Sequence, residues 1–207
     1  MTPKVTIITT VYDRVECLRQ CIRSVKRLTL TNVEHLVVAD DPPSQTLVDI
    51  ATLCAESGVD FYTTPFRAND WGNSPASLGL TYATGEYVCF LSDDNAYLPD
   101  HFEPLVAALD ADPSLGFAYS SCLYEGRKEL RLEPPLGAGI DLGQPLFRRS
   151  MLKEHFPTRL PFSGVFSWDW ELIRTLVYER GVTWTHIDAL TFVFKVTAYP
   201  RLVQALA

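Results

Sequence analysis

The chain has 207 residues, with 18 lysines and arginines against 25 aspartates and glutamates for a formal net charge of −7, and it is 47% hydrophobic and 21% charged. That hydrophobic share excludes a disordered chain and supports one well-filled core. The acidic balance, without any run of basic residues, excludes a general nucleic-acid binder, which must neutralise phosphates with clustered lysine and arginine.

Residues 4–11 (KVTIITTV) read as a buried strand, followed by a helix in which Val15, Leu18, Ile22 and Val25 recur at helical spacing. Asp13 is its expected cap, with Glu16 completing a capping box. Residues 33–39 (VEHLVVA) form a second strand, stopped after Asp40-Asp41 by Pro42 and Pro43. A helix over 44–57 closes at Gly58, a short strand covers 59–63, and 86–91 (EYVCFL) is a further apolar strand. Beyond it a helix is expected over 100–109, a strand over 115–121, and an irregular crossing over 126–143. Helices over 146–155 and 167–180 follow, the second with Ser167 and Gly181 as its caps, then strands over 182–186 and 190–196. The alternation predicts one α/β domain with a mostly parallel central sheet and helices on both faces. Ligands of such sheets sit beyond the carboxyl ends of the strands. No stretch reaches the roughly 18 apolar residues of a membrane span. The start, Met1-Thr2-Pro3-Lys4, has no signal-peptide layout, so the chain reads as cytoplasmic. Cys17, Cys21, Cys54, Cys89 and Cys122 form no CxxC pair and read as buried thiols.

Polar residues gather at the strand ends: Thr9 to Arg14 after the first strand, Asp40-Asp41 after the second, and Ser92-Asp93-Asp94-Asn95 after the strand at 86–91. Two adjacent carboxylates after a buried strand are costly unless a cation or hydrogen bonds compensate them. Mg²⁺ and Mn²⁺ take oxygen ligands and bridge carboxylates to substrate phosphates. A solvated turn with Asp93 as a helix cap is the plain alternative, but the apolar strand before it and the second acidic pair favour a cation. His186 is weighed as a replacement metal ligand against a packed strand residue, His35, His101 and His155 lack ligand spacing, and Arg148-Arg149 are weighed as phosphate or acceptor contacts against a solvent-facing helix.

KVTIITTVYDR followed by a helix, then VEHLVVADD, ATGEYVCFLSDDNAYLPDHF and SWDWELIRTLVYERG in that order, resemble glycosyltransferase family 2 enzymes of the GT-A fold. The resemblance implies a single domain over 1–207, with a nucleotide-sugar and metal half at 1–98 and an acceptor half at 99–207. It implies inverting transfer of a sugar from a nucleotide diphosphate, most simply UDP, to an acceptor hydroxyl. Carried over, Thr10, Tyr12 and Arg14 line the nucleotide pocket and Asp41 accepts a hydrogen bond from the base. Asp94 is the ligand of Mn²⁺ or Mg²⁺, Asp93 contacts sugar, ribose or the metal's waters, and Asp169 is the general base, with Trp168 and Trp170 placed to stack on a sugar.

The chain departs from the family in three places: Leu91-Ser92 stand where relatives carry a further acidic residue, Ala76-Ser77 where they carry Asn or Arg, and Lys195 and Thr197 near the position of a metal-binding His. Asn69, Asn73 or Arg67 are candidates to replace the second, and Lys195 to bring positive charge to the diphosphate. Two alternatives remain, a nucleotide-sugar-binding homologue without turnover and a nucleotidyltransferase-type enzyme. The latter is opposed by the lack of a GxGxxGxPK-like loop. Expected partners are the donor and a glycan, lipid-linked or other hydroxyl acceptor, and residues 198–207 are weighed as a homodimer or membrane-surface contact against a frayed end, which is preferred.

Overall fold

The structure, a computed structural model, describes residues 2–124, 128–130, 140–156, 159–162, 164 and 168–195. Residues 198–207, Thr197, Ser167 and most of 126–143 therefore lie outside the described residues.

The first half is parallel throughout. β1 (Val5–Val11) lies between β2 (Val33–Ala39) and β4 (Tyr87–Ser92), and β3 (Asp60–Thr63) extends the sheet beyond β2. β1, β4 and most of β2 are apolar because both their faces are covered. Successive residues of β1 point to opposite faces: Ile7 packs with α1 (Val15–Lys26) and Ile8 with α3 (Asn73–Tyr82). α2 (Ser44–Ser57) joins α1 over Val37 and Ala39 and ends at Gly58, whose φ of 63° is the left-handed conformation of a helix terminator.

The second half mixes directions. After β5 (Ala96–Tyr97) and α4 (Phe102–Ala111), the chain forms β6 (Phe117–Tyr124), β7 (Lys128–Leu130), β8 (Pro145–Arg148), α5 (Arg149–His155), α6 (Trp168–Arg174) and β9 (Trp184–Phe194). The sheet order is β3-β2-β1-β4-β8-β6-β9-β5, with β7 on β6. β8 runs antiparallel to both β4 and β6, whereas β6 and β9 are parallel. Helices cover both faces, α1, α2 and α4 on one and α3, α5 and α6 on the other. No helix among the described residues is long and apolar enough to cross a membrane.

Four local expectations are corrected. Residues 146–148 are strand, because Leu146 and Phe147 enter the cores on opposite faces of the sheet, and the helix starts only at Arg149. The two C-terminal strands are one, β9, whose register slips against β6 around Ser121. α1 starts after Arg14 with no side-chain cap, so Asp13 and Glu16 form no capping box; the turn instead carries Arg14 towards Asp93. After α6 the chain widens into a π-helical turn at Thr175–Glu179, closed by the Arg180 N–H on the Thr175 carbonyl.

α3 has no counterpart among the expected elements. Its sequence, NSPASLGLTY, is poor in strong helix formers, and tertiary packing supplies the difference: a Cβ on Gly79 would lie 2.5 Å from Ile8 of β1. Asp70 serves its first turn by accepting hydrogen bonds from the Ser74 N–H and hydroxyl.

Candidate active site

The parallel register sets Thr10 of β1 beside Ser92 of β4 at the carboxyl edge of the sheet. The chain then turns, and Arg14 reaches across to the next two residues of the β4 end. Its guanidinium makes two hydrogen bonds to Asp93, one of them 3.1 Å from Nε, and a third to Asp94 at 2.5 Å. The Asp93 side chain is only 2% exposed and that of Asp94 17%. Burial pushes the Asp93 carboxyl up to about 6 against the opposing pull of Arg14. No group of three or more His, Cys, Asp or Glu residues able to hold a metal occurs among the described residues. A pair of adjacent carboxylates fits a cation that draws its remaining ligands from phosphate and water, as Mg²⁺ commonly does.

Two cavities adjoin this edge. One, about 300 Å³, is lined by Tyr12, Arg14, Asp40, Arg67, Asn69 and Asp93. The other, about 180 Å³, is lined by Phe90, Asp141, Leu142, Trp168 and Asp169. Thr10, Trp71 and Ser92 line both, so they form the partition between them. A larger cavity, about 350 Å³, lies between α3 and α5 among Ser77, Leu80, Lys153 and Phe156. It has no carboxylate in its wall.

In the first cavity Arg67 stacks its guanidinium 3.9 Å from the centre of the Tyr12 ring, giving a flat cationic and aromatic wall. The acidic pair after β2 divides its work. Asp40 lines the cavity and is 7% exposed, accepting the N–H groups of Ala68 at 2.8 Å and Asn69 at 2.9 Å. Asp41, the residue expected to meet the base, is exposed at the next position with φ of 41°. Of the candidates before β4, Arg67 and Asn69 line this cavity, whereas Asn73 is fully buried and donates to the carbonyls of Leu160 and Pro161.

In the second cavity Asp169 sits in the first turn of α6, its Oδ1 accepting the Trp170 N–H at 2.8 Å. Burial raises its proton affinity above that of an ordinary aspartate. Trp168 is buried against Phe90 in an edge-on contact at 5.4 Å, and its Nε1–H donates to the Trp71 carbonyl at 2.9 Å. It is thus a wall and a fastening, while Trp170 is 36% exposed. Trp71 itself is 80% exposed.

The composition of 126–143 conceals one further member, Asp141. Its Oδ1 accepts the Gly143 N–H at 2.8 Å and Asn95 Nδ2 at 3.2 Å. Burial pushes it up to about 7, and the charges of Asp169 and Asp94 add to the effect. Asn95, fully buried one residue after Asp94, also accepts the Lys195 N–H at 2.9 Å, which brings the end of β9 to the acidic pair. Among the described non-glycine residues φ is positive only at Asp41, Asn69, Trp71 and Lys195. All four border this region, and backbone conformations of this kind collect at functional sites.

Asp141 and Trp71 had no sequence signal beyond turn residues beside them, Gly143 and Gly72. The remaining candidates are structural. His186 is hydrogen-bonded to Ser121 and stacked on Tyr119. Arg148 and Arg149 donate to the carbonyls of Leu109, Leu115 and Gly85, at the opposite edge of the sheet.

Residues 6–165 match the sequence profile of Glycosyl transferase family 2. EpsH of Bacillus subtilis, a putative glycosyltransferase, is 23% identical over 98% of this chain and 58% of its own length. A GalNAc(5)-diNAcBac-PP-undecaprenol β-1,3-glucosyltransferase of Campylobacter jejuni is 23% identical over 74% of this chain and 49% of its own. The chain thus spans about half the length of these curated relatives. Among solved structures, TarS 1–349 of S. aureus has a TM-score of 0.75 at 15% identity over 98% of this chain and 65% of that one. Mannosyltransferase PcManGT from Pyrobaculum calidifontis, solved with GDP-Man and Mn²⁺, also scores 0.75, at 19% identity over 95% and 58%. At such identities the likeness is one of fold, and it bears out the α/β architecture expected from the resemblance. With the profile running over most of its length, the chain belongs to glycosyltransferase family 2.

Proposed function

We propose that the protein transfers a glycosyl group from a nucleotide diphosphate sugar, most simply a UDP-sugar, to an acceptor hydroxyl with inversion at the anomeric carbon. The observation that carries this reading is the partition: Asp93, bonded with Asp94 to Arg14, lines one cavity, a carboxylate of raised proton affinity lines the next, and Thr10, Trp71 and Ser92 serve both. A donor laid across it has its nucleotide against Tyr12 and Arg67, with Asp41 at the rim for the base, its diphosphate at Asp93 and Asp94, and its sugar towards Asp169.

In this reading Asp94 would hold Mn²⁺ or Mg²⁺, with Asp93 behind it clamped by Arg14. The bound cation offsets negative charge on the departing diphosphate. Asp169 accepts the acceptor's hydroxyl proton as its oxygen bonds to the anomeric carbon. The bond from that carbon to the diphosphate oxygen breaks, and the nucleoside diphosphate leaves with the electron pair. Lys195, whose N–H is fixed to Asn95, stands at the end of β9 to add positive charge near the phosphates. The solved neighbours carrying UDP, UDP-GlcNAc or GDP-Man support the donor class. The printed name of the Campylobacter relative supports a glycan or lipid-linked acceptor.

The test is thermal unfolding with UDP, GDP and dTDP, each with Mn²⁺ and with chelator. A ligand of the native state at a hundred times its Kd stabilises by about 2.7 kcal/mol. The expected outcome is a rise in Tm with one nucleotide, larger with Mn²⁺ and lost in Asp94→Ala. No rise with any nucleotide contradicts the reading.

A further inference from the structure

We propose that Asp141 is the specificity-determining residue for the transferred sugar, accepting hydrogen bonds from ring hydroxyls of the donor's glycosyl group. The proposal rests on the transferase reading above and adds to it the residue that reads the sugar.

Position is the first support. The transferred ring must lie between the diphosphate, anchored at Asp94, and the attacking hydroxyl, activated at Asp169. Asp141 lines the same cavity as Asp169 and lies within electrostatic reach of both Asp169 and Asp94. It therefore flanks the space in which the anomeric carbon has to be.

Rigidity is the second. Oδ1 is fixed by the Gly143 N–H and by Asn95, and the Asp141 N–H donates to Gln144 Oε1 at 2.8 Å. Gln144 in turn donates to the Ser120 carbonyl of β6 at 2.7 Å. The turn is pressed so closely on β9 that a Cβ at Gly143 would fall 2.1 Å from the Phe192 ring. A side chain held from this many directions presents one geometry to a ligand, as a specificity contact requires.

Chemistry is the third. No ion pair joins Asp141 to a cation among the described residues. A half-buried carboxylate without a cation draws on hydrogen-bond donors, and an ionised one accepts on both oxygens. Sugar hydroxyls are donors of the right kind, and the cavity, about 180 Å³, is small beside the roughly 300–1,000 Å³ of pockets for larger ligands.

The experiment measures nucleotide release. Wild-type protein is first given UDP-glucose, UDP-galactose, UDP-N-acetylglucosamine and GDP-mannose with Mn²⁺. The donor turned over is then compared with its deoxy analogues at each ring position, in wild type and in Asp141→Ala. A hydrogen bond to a charged group is worth about 10- to 100-fold, so wild type is expected to lose that much kcat/KM on the analogue lacking the recognised hydroxyl. Asp141→Ala is expected to lose as much on the full donor and nothing further on that analogue. Asp141→Asn, which keeps an oxygen for the Gly143 N–H, is a second variant, and an unchanged nucleotide-induced rise in Tm verifies the fold of both. If every analogue carries the same penalty in the variants as in wild type, the proposal is overturned. If wild type releases nucleotide from no member of the panel, the transferase reading fails and the proposal with it.

Discussion

Asp93 and Asp94 on one side of the site, and Asp141 and Asp169 on the other, are held by different means. The first pair shares one cation, Arg14, which bonds both side chains and opposes the burial that still pushes Asp93 up to about 6. The second pair is supported by N–H groups of the backbone and of Asn95, and burial raises the proton affinity of both members. A carboxylate that shares a cation has that charge opposing its protonation and suits charge compensation. One that is buried with dipoles alone is a better proton acceptor. In the proposed reading the same side chain would serve the diphosphate end or the hydroxyl end according to what surrounds it.

The widest break in this comparison comes from Arg14→Met, which leaves the buried Asp93 charge without its partner. Stability should fall by about 1–3 kcal/mol in thermal or urea unfolding, and Asp93→Asn in the same chain should restore part of it. An unchanged midpoint would mean that Arg14 does not stabilise the pair. Smaller is Trp168→Phe, which keeps the packing on Phe90 but removes the bond to the Trp71 carbonyl. It should cost about 0.5–1.5 kcal/mol, together with a raised KM for the donor, because Trp71 belongs to the partition between the cavities. A variant with wild-type KM would detach Trp71 from donor binding.

The smallest effect is one of position on the pH axis. A base must be deprotonated, so turnover falls on acidification through its pKa. Burial moves that of Asp169 upward, and the acid limb of kcat/KM should lie above the roughly 3.9 of an ordinary aspartate. A limb at or below that value would show that another group controls the rate.

The two sides also differ in how far the residues themselves announce them. β1, β4 and the second half of β2 are buried and read as largely apolar runs, and Gly58 marks the end of α2. Asp93 and Asp94 stood out because they end such an element, whereas Thr10, Tyr12, Arg14 and Asp169 were named through the family resemblance. Which of Asp40 and Asp41 turns inward depends on the loop at 64–72, so the pair was legible and its inward member was not. α3 was hidden by poor local propensity and exists through the contact of Gly79 with Ile8. β8 is too short for alternation to compete with the helical spacing that follows it. Asp141 owes its place to a turn pinned by Asn95, by Phe192 and, through Gln144, by the Ser120 carbonyl, long-range contacts that leave no local pattern.

Replacement of Asp169 by Asn tests the central claim most directly, with nucleotide binding and turnover measured on the same preparation. Binding should match wild type, because the diphosphate end of the site is untouched, while turnover should fall by about 10²- to 10⁴-fold. Turnover equal to wild type, with the nucleotide bound as before, would remove Asp169 from the reaction and contradict the division of labour between the two carboxylate pairs.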